Sequence, residues 1–195
     1  MRLAALMLLA LPLVAQSVDR RGLGREWTDL GAPAGEQLRL DLEACGITVL
    51  PSEDGHLRMR YVGREARSLG EVRLRFEPAA APARFRLEDT PREGFEVELQ
   101  VPKRVDLDLH MSAGEVKIRG IEGSKQVRLG AGEIRIEVGD PSRYGPVSAS
   151  VWVGEVNPGP FGETKGGFFR SISHQGPGPY TLLAKVKTGE VRLVR

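Results

Sequence analysis

The residue types that perform nucleophilic and acid–base catalysis are present in this sequence, but they do not form catalytic patterns. Nucleophilic catalysis needs a base placed beside an activated hydroxyl or thiol. The three histidines, His56, His110 and His174, each stand in a strand or loop context without a companion motif. The sequence has no Gly-x-Ser-x-Gly elbow and no phosphate-cradling glycine loop. We therefore predict no catalytic residues, no cofactor and no enzyme activity.

The best candidate for metal ligation is the group formed by Asp106, Asp108 and His110. In a strand, alternation would place all three on the outward face, opposite Leu107 and Leu109. Successive residues on one face lie roughly 7 Å apart, which is too far for a single ion to reach all three easily. A solvated strand face explains them, and we predict no metal site there.

A column of glutamates is the more unusual set of carboxylates. One glutamate directly follows each of four similar glycines: Glu115, Glu133, Glu155 and Glu190. Basic residues stand two positions further on in three of the four segments: Lys117, Arg135 and Arg192. Like charges stacked on neighbouring strands would repel one another. Lateral pairing with the basic residues would offset this repulsion, and a bound cation such as calcium is the alternative.

Aromatic residues are concentrated in a glycine- and proline-rich stretch between Gly139 and Tyr180, which holds six of the 11 in the chain. Loops carry binding functions more often than scaffolds do, and aromatic faces suit sugars or proline-rich segments. The candidate ligand-binding residues are Trp152, Phe161, Phe168 and Phe169. The alternative is that these rings cap the end of a repeat stack. Trp152 should point outward, in the column that holds Ser112, Gly130 and Lys187.

A repeated segment supplies the elements that would position these residues. Its four copies centre on Gly114, Gly132, Gly154 and Gly189, each followed by glutamate and then valine or isoleucine. In every copy the residues three and five positions before the glycine and two and four after it are apolar, and mostly polar residues alternate with them. Period two is typical of a strand with one buried face. A fifth, degenerate copy places Cys45 at the glycine position, with Leu38, Leu40, Leu42, Ile47 and Val49 in the apolar columns.

The fold predicted from this repeat is all-β. Each unit is a strand, a tight glycine-centred bend and a second strand, and it can bury its apolar face only against other units. The stretch between Leu57 and Val101 also alternates and is punctuated by turn-forming clusters. We predict a short β-solenoid or β-roll of stacked units. A two-sheet β-sandwich made of hairpins is the alternative, because the sequence leaves the strand order open.

The first residues are typical of a secretory signal peptide. Arg2 provides a positive charge, an apolar run follows from Leu3 to Ala15, and residues 13–15 offer a cleavage site before Gln16. We assign 1–15 to the signal peptide, 16–35 to an N-terminal segment and 36–195 to a single β-strand-repeat domain. No second apolar stretch is long enough to span a membrane, so we expect an exported protein in the periplasm, the cell envelope or the medium.

Charge and cysteine content narrow the partners further. The formal net charge is +2, with 28 basic and 26 acidic residues interspersed along the chain. The basic residues do not form a stripe of the kind that binds a phosphate backbone, so we expect no nucleic-acid partner. Cys45 is the only cysteine, which rules out an intramolecular disulfide. We expect a small, packed and inert thiol, and an intermolecular disulfide is the alternative.

The repeats also support a resemblance to a known family. From about Glu36 to Arg195 the chain resembles the bacterial "putative adhesin" β-strand-repeat family of exported and envelope proteins. The matching features are the small-Gly-Glu-aliphatic turns, the strand closed by Val101-Pro102, and the terminal segment from Thr188 to Leu193. The resemblance implies a β-repeat fold, export and a surface-binding role, and it supplies no catalytic residues.

Three functions follow from these observations. The first is a non-catalytic, adhesin-like binding module of the envelope or medium, whose ligand would be a glycan or a protein. The second is a structural component that assembles through its strand edges. The third is a polysaccharide-active β-solenoid enzyme, which would need an acidic groove with two carboxylates roughly 5–10 Å apart.

Overall fold

The computed structural model describes residues 23–63, 69, 71–91 and 94–195. The predicted signal peptide, 1–15, and the first part of the predicted N-terminal segment lie outside these residues. The described chain is all-β, as predicted, and two short 3-10 turns are its only helical segments. Its strands are β1 Thr28–Gly31, β2 Gln37–Ser52, β3 Leu57–Tyr61, β4 Arg73–Glu77, β5 Ala83–Glu88, β6 Glu96–Pro102, β7 Asp106–Ile118, β8 Lys125–Glu137, β9 Tyr144–Asn157, β10 Lys165–Gln175 and β11 Tyr180–Val194.

The strands form one open, mixed sheet in the order β1-β3-β6-β2-β7-β8-β11-β9-β10, with β5 beside the first half of β2 and β4 beside β5. The five copies of the repeat are the long strands β2, β7, β8, β11 and β9, which pair in parallel. Their register aligns Cys45 with Gly114, Gly132, Gly189 and Gly154 in turn, so the predicted repeat alignment is confirmed, including its degenerate first copy.

Glycine is required at the centre of each repeat because two neighbouring backbones approach closely there. Gly132 has a φ of +127°, and a Cβ atom at this position would lie 1.8 Å from the carbonyl oxygen of Gly114. The same approach recurs from each repeat strand to the one before it in the sheet. At Cys45, no strand of the described chain pairs with β2 on its other side, because β5 pairs with it up to Leu42 and β6 from Gly46. This interruption is consistent with a residue other than glycine at this repeat centre.

The bend at each glycine shifts the alternation of buried and exposed residues along the strand. In β7, Met111 lies three residues before the glycine and Val116 lies two after it, and both are buried. These positions are an odd number of residues apart, so simple alternation would have exposed one of them. The irregularity at the glycine shifts the alternation of buried and exposed residues by one position. Both halves of every long strand therefore contribute to one apolar core.

The strand order departs from the order of the repeats along the chain. The fourth copy, β11, lies between β8 and β9, and β10 returns antiparallel along β9 as the final strand of the sheet. The sheet is not closed. The structure therefore shows an all-β protein with one open, mixed sheet in which the repeat strands pair in parallel. It does not show the predicted β-solenoid or β-roll, and the β-sandwich stays an alternative. Among the described residues, no helix is long and apolar enough to cross a membrane.

Candidate functional site

Three of the four aromatic residues predicted to bind a ligand lie on the surface. Trp152 is 55% exposed, Phe168 67% and Phe169 73%. Phe161 is buried and packs beside Tyr144 and His174, with ring centroids 6.2 and 5.1 Å away. Phe161 is therefore part of the core and does not reach the surface on which the other rings lie.

Trp152 and Phe169 form a pair on neighbouring strands, with ring centroids 5.7 Å apart and ring planes inclined at 37°. Both occupy the position at which strand pairing is interrupted: Val151 and Val153 of β9 align with Arg170 and Phe168 of β10, and the residues between them do not pair. Phe169 has a φ of +52°, which is unusual for a bulky residue and marks the same irregularity. The result is an accessible aromatic surface at the end of the sheet.

The interruption that displays Trp152 recurs across the repeat strands. At the position two residues before each repeat glycine, every parallel ladder skips a pair. This position therefore forms a continuous row across six strands, which we call the display row: Glu43, Ser112, Gly130, Lys187, Trp152 and Phe169. Gly130 is the smallest member, and a Cβ atom there would lie 2.2 Å from the carbonyl oxygen of Ser112. The repeat alignment predicts this row at Ser112, Gly130, Trp152 and Lys187, and the structure extends it to Glu43 and Phe169.

The display row lines a groove of about 970 Å³ that crosses the strands. The row two residues earlier and the largely buried row between the two also line it. The earlier row runs Asp41, His110, Arg128, Lys185 and Ser150 across the same strands. Phe169 lines the groove, whereas Phe168 and Phe161 do not. Of the predicted residues, the structure therefore brings Trp152 and Phe169 together in one site.

The charges along the groove are separated by sign. Asp41, Glu43 and Glu88 lie at the end formed by β2 and β5, whereas Arg128, Lys185 and Lys187 lie towards the aromatic end. The Asp41 carboxylate is engaged by Arg39 at 3.0 Å and by Arg86 at 3.9 Å. The Lys185 and Lys187 side chains are exposed, and neither has an ion pair within the described part of the chain.

The cluster considered for metal ligation is an ion-pair network. His110 Nε2 lies 2.9 Å from the Asp108 carboxylate and 2.7 Å from Arg128 Nη1, which lies 3.3 Å from the same carboxylate. Asp106 accepts a hydrogen bond from the Ser124 backbone N–H at 2.7 Å. Across the described residues, no group of three or more histidine, cysteine or carboxylate side chains is arranged to hold a metal ion.

The glutamate column is stacked as the repeat alignment requires, with Glu115, Glu133, Glu190 and Glu155 in register on successive strands. Two of these glutamates pair laterally with the basic residue two positions on: Glu115 with Lys117 at 2.7 Å and Glu190 with Arg192 at 2.6 Å. The hydrogen bond from Arg192 to Glu190 raises the pKa of that guanidinium. Lateral pairing thus offsets part of the repulsion between the stacked carboxylates.

A lysine is buried in the apolar column at the start of β8. Lys125 aligns with Leu107 on one side and Leu182 on the other, and it is 1% exposed. Its ammonium donates hydrogen bonds to the Gly123 carbonyl at 3.0 Å and to the Tyr144 hydroxyl at 2.6 Å. Burial lowers the pKa of Lys125 to about 8 and raises the pKa of Tyr144 to about 12. Lys125 does not line the groove, so we treat it as a structural feature of the core.

Comparison with known proteins supports the fold. The structure resembles that of a "putative cell adhesion protein" from Clostridium sporogenes, with a TM-score of 0.50 and 11% identity over 93% of this chain and 97% of that one. A "putative adhesin" from Bacteroides fragilis is less similar, with a TM-score of 0.35 and 9% identity over 86% and 96% of the two chains. No protein-family model matches the sequence, and no curated protein matches it significantly. At such identities the first likeness shows a shared fold.

Proposed function

We propose that this protein is an exported, non-catalytic binding module, adhesin-like in role, that uses the groove beside Trp152 and Phe169 to hold a component of a cell surface. The observation that carries the proposal is the exposed aromatic pair at the end of a groove built by the repeat register. Soluble proteins rarely leave contiguous large apolar side chains in water without a binding role. The fold shared with the Clostridium sporogenes protein named for cell adhesion agrees with this role.

The groove has the general features of a ligand site. Apolar side chains line it together with a small number of polar and charged groups, a combination that ligand pockets share. The rigid ladder of parallel strands holds these groups at fixed spacing, so little ordering is needed when a ligand binds. Export of the mature chain, as the residues before Gln16 predict, would place this groove in contact with envelope material.

The test is binding to isolated envelope fractions by the natural protein and by Trp152→Ala and Phe169→Ala. Each substitution should weaken retention at least tenfold, because each removes a central aromatic contact worth roughly 1.4 kcal/mol or more. Phe168→Ala is the matched control: Phe168 is as exposed as Phe169 and adjacent to it, but it lies outside the groove. Equal retention of all four proteins would refute the proposed site.

A second candidate function is self-association through the last strand of the sheet. Strand β10 pairs with β9 on one side only, spans 11 residues and exposes most of its side chains. An unprotected edge of this length can pair with another chain. Sedimentation velocity over a wide concentration range distinguishes the two functions: concentration-dependent oligomers that Phe168→Ala weakens would favour assembly over ligand binding.

A further inference from the structure

The groove's basic segment lies directly beside its aromatic pair. Lys187 stands opposite Trp152 on the neighbouring strand, because the flanking residues Val186 and Val151 pair in register. Lys185 lies opposite Ser150, two residues earlier on each of the same strands. Two exposed ammonium groups and two aromatic rings therefore line one end of the groove together.

These ammonium groups are not neutralised by the acidic end of the same groove. Strand β11, which carries the lysines, is separated from β2 by three strand spacings. At roughly 4.8 Å per spacing this is about 14 Å, which exceeds the Debye length of about 8 Å at physiological ionic strength. Arg128, which lies between them, already pairs with Asp108. Lys185 and Lys187 thus keep their capacity to bind an anion.

The opposite charge at the far end limits what kind of anion fits. A long polyanion with a charge on every unit would meet Glu43 and Glu88 at the acidic end and be repelled there. The favoured ligand carries its negative charge close to an apolar face, so that the face lies on the rings while the charge meets the lysines. Its remaining groups must be hydrogen-bonding rather than strongly anionic.

A saccharide satisfies these demands better than an extended peptide does. The groove crosses the strands instead of running along a sheet edge, so a peptide lying in it could not pair with the sheet as a further strand. A sugar ring offers C–H groups on its face, which pack on aromatic rings, and hydroxyls at its rim. Ser112, Ser150 and His110 line the groove and carry groups that can form hydrogen bonds with such hydroxyls.

We infer that the groove recognises a carboxylate-bearing saccharide, with one acidic sugar stacked on Trp152 and Phe169 and its carboxylate paired with Lys187 and Lys185. This inference rests on the proposed function and names its ligand class. The sugar's carboxylate would accept hydrogen bonds from two ammonium groups, and neighbouring units would extend along the groove past Gly130.

The test uses three polysaccharides in which uncharged sugars separate the carboxylated ones, namely hyaluronan, unsulfated chondroitin and gellan, each beside its counterpart with the carboxyl groups reduced to alcohols. The natural protein should bind at least one acidic polymer and bind the reduced form at least tenfold more weakly. Lys187→Gln and Lys185→Gln should each weaken binding of the acidic form roughly fivefold, as expected for a partly solvated ion pair. Lys165→Gln, an exposed lysine of β10 outside the groove, is the control.

The outcomes separate this inference from the proposed function. Equal binding of the acidic and reduced polymers, or binding that both lysine substitutions leave unchanged, overturns the acidic ligand. So does failure of all three acidic polymers to bind. In each of these cases, retention on envelope fractions that still depends on Trp152 keeps the groove as the binding site. Protease-sensitive retention identifies a protein ligand and also overturns the saccharide.

Discussion

The repeat glycines exclude any side chain for two separate reasons. Their φ values between +123° and +136° are rarely adopted by other residues, and a Cβ atom would overlap a carbonyl oxygen of the next strand. Gly139 provides the matched case of positive φ alone, because at +68° its missing Cβ would meet nothing within 4 Å. The two positions therefore allow backbone strain and steric overlap to be measured separately.

Gly132→Ala should lower the free energy of unfolding by about 3 kcal/mol or more, since strain and overpacking both contribute. Gly139→Ala should cost only about 1 kcal/mol, because strain acts alone. Glu133→Gln should cost little. Denaturant melts of the three variants measure these differences, and a Gly132→Ala cost no larger than that of Gly139→Ala would show that the close approach of the strands is absent.

Cys45 is the one repeat centre with a side chain, and its environment predicts its reactivity. The thiol is buried, donates to the Met111 sulfur at 3.6 Å, and has its pKa raised by burial to about 12. It should therefore be protonated and inaccessible in the folded protein at pH 8. A thiol-specific reagent should modify it only after denaturant unfolds the chain, and rapid modification of the native protein would contradict the assigned position of β2.

Among the repeat strands, β8 buries a charged side chain that lowers the free energy of unfolding, and its neighbours β7 and β11 do not. It begins with Lys125 in a column that holds leucine in β7 and β11. Below pH 8 the folded protein must keep this ammonium charged and buried. As the pH rises from about 8 towards the unfolded value of 10.5, the folded state loses the proton first, and stability rises with pH.

Lys125→Met should therefore stabilise the protein at pH 7 by about 2 kcal/mol, after allowance for the two lost hydrogen bonds. The gain should shrink by pH 9.5, where the natural protein no longer carries the charge. Urea melts of both proteins at the two pH values provide the comparison. A gain that is independent of pH would mean that the cost of Lys125 is one of packing rather than of charge.

At the scale of the whole molecule, the sequence predicted what depends on local pattern. Alternation and the repeated glycine identified the long strands, their register and the outward direction of Trp152, because each of these follows from spacing along one strand. Even the replacement of glycine by Cys45 was visible, since the apolar columns around it were intact.

The groove and the burial of Phe161 could not be predicted, because both depend on which strands become neighbours. The insertion of β11 between β8 and β9 places Lys187 beside Trp152, and no spacing along the chain carries that information. Phe161 was grouped with the ligand-binding rings because it lies in the same glycine-rich stretch. Its burial against Tyr144 comes from packing between segments that are distant along the chain. The groove is therefore a product of tertiary structure built on a row that the repeat defines.

We propose that this groove, and no other surface of the protein, holds the ligand. The chain has two tryptophans, Trp152 in the groove and Trp27 beside Arg60 near β1, at the opposite end of the sheet order. A ¹⁵N-labelled sample therefore gives two indole N–H signals, assigned by substituting either residue with phenylalanine. Addition of an envelope polysaccharide that the protein retains should shift the Trp152 signal progressively and leave the Trp27 signal in place. A shift of the Trp27 signal alone, or of neither signal under saturating ligand, would show that the ligand does not bind in this groove.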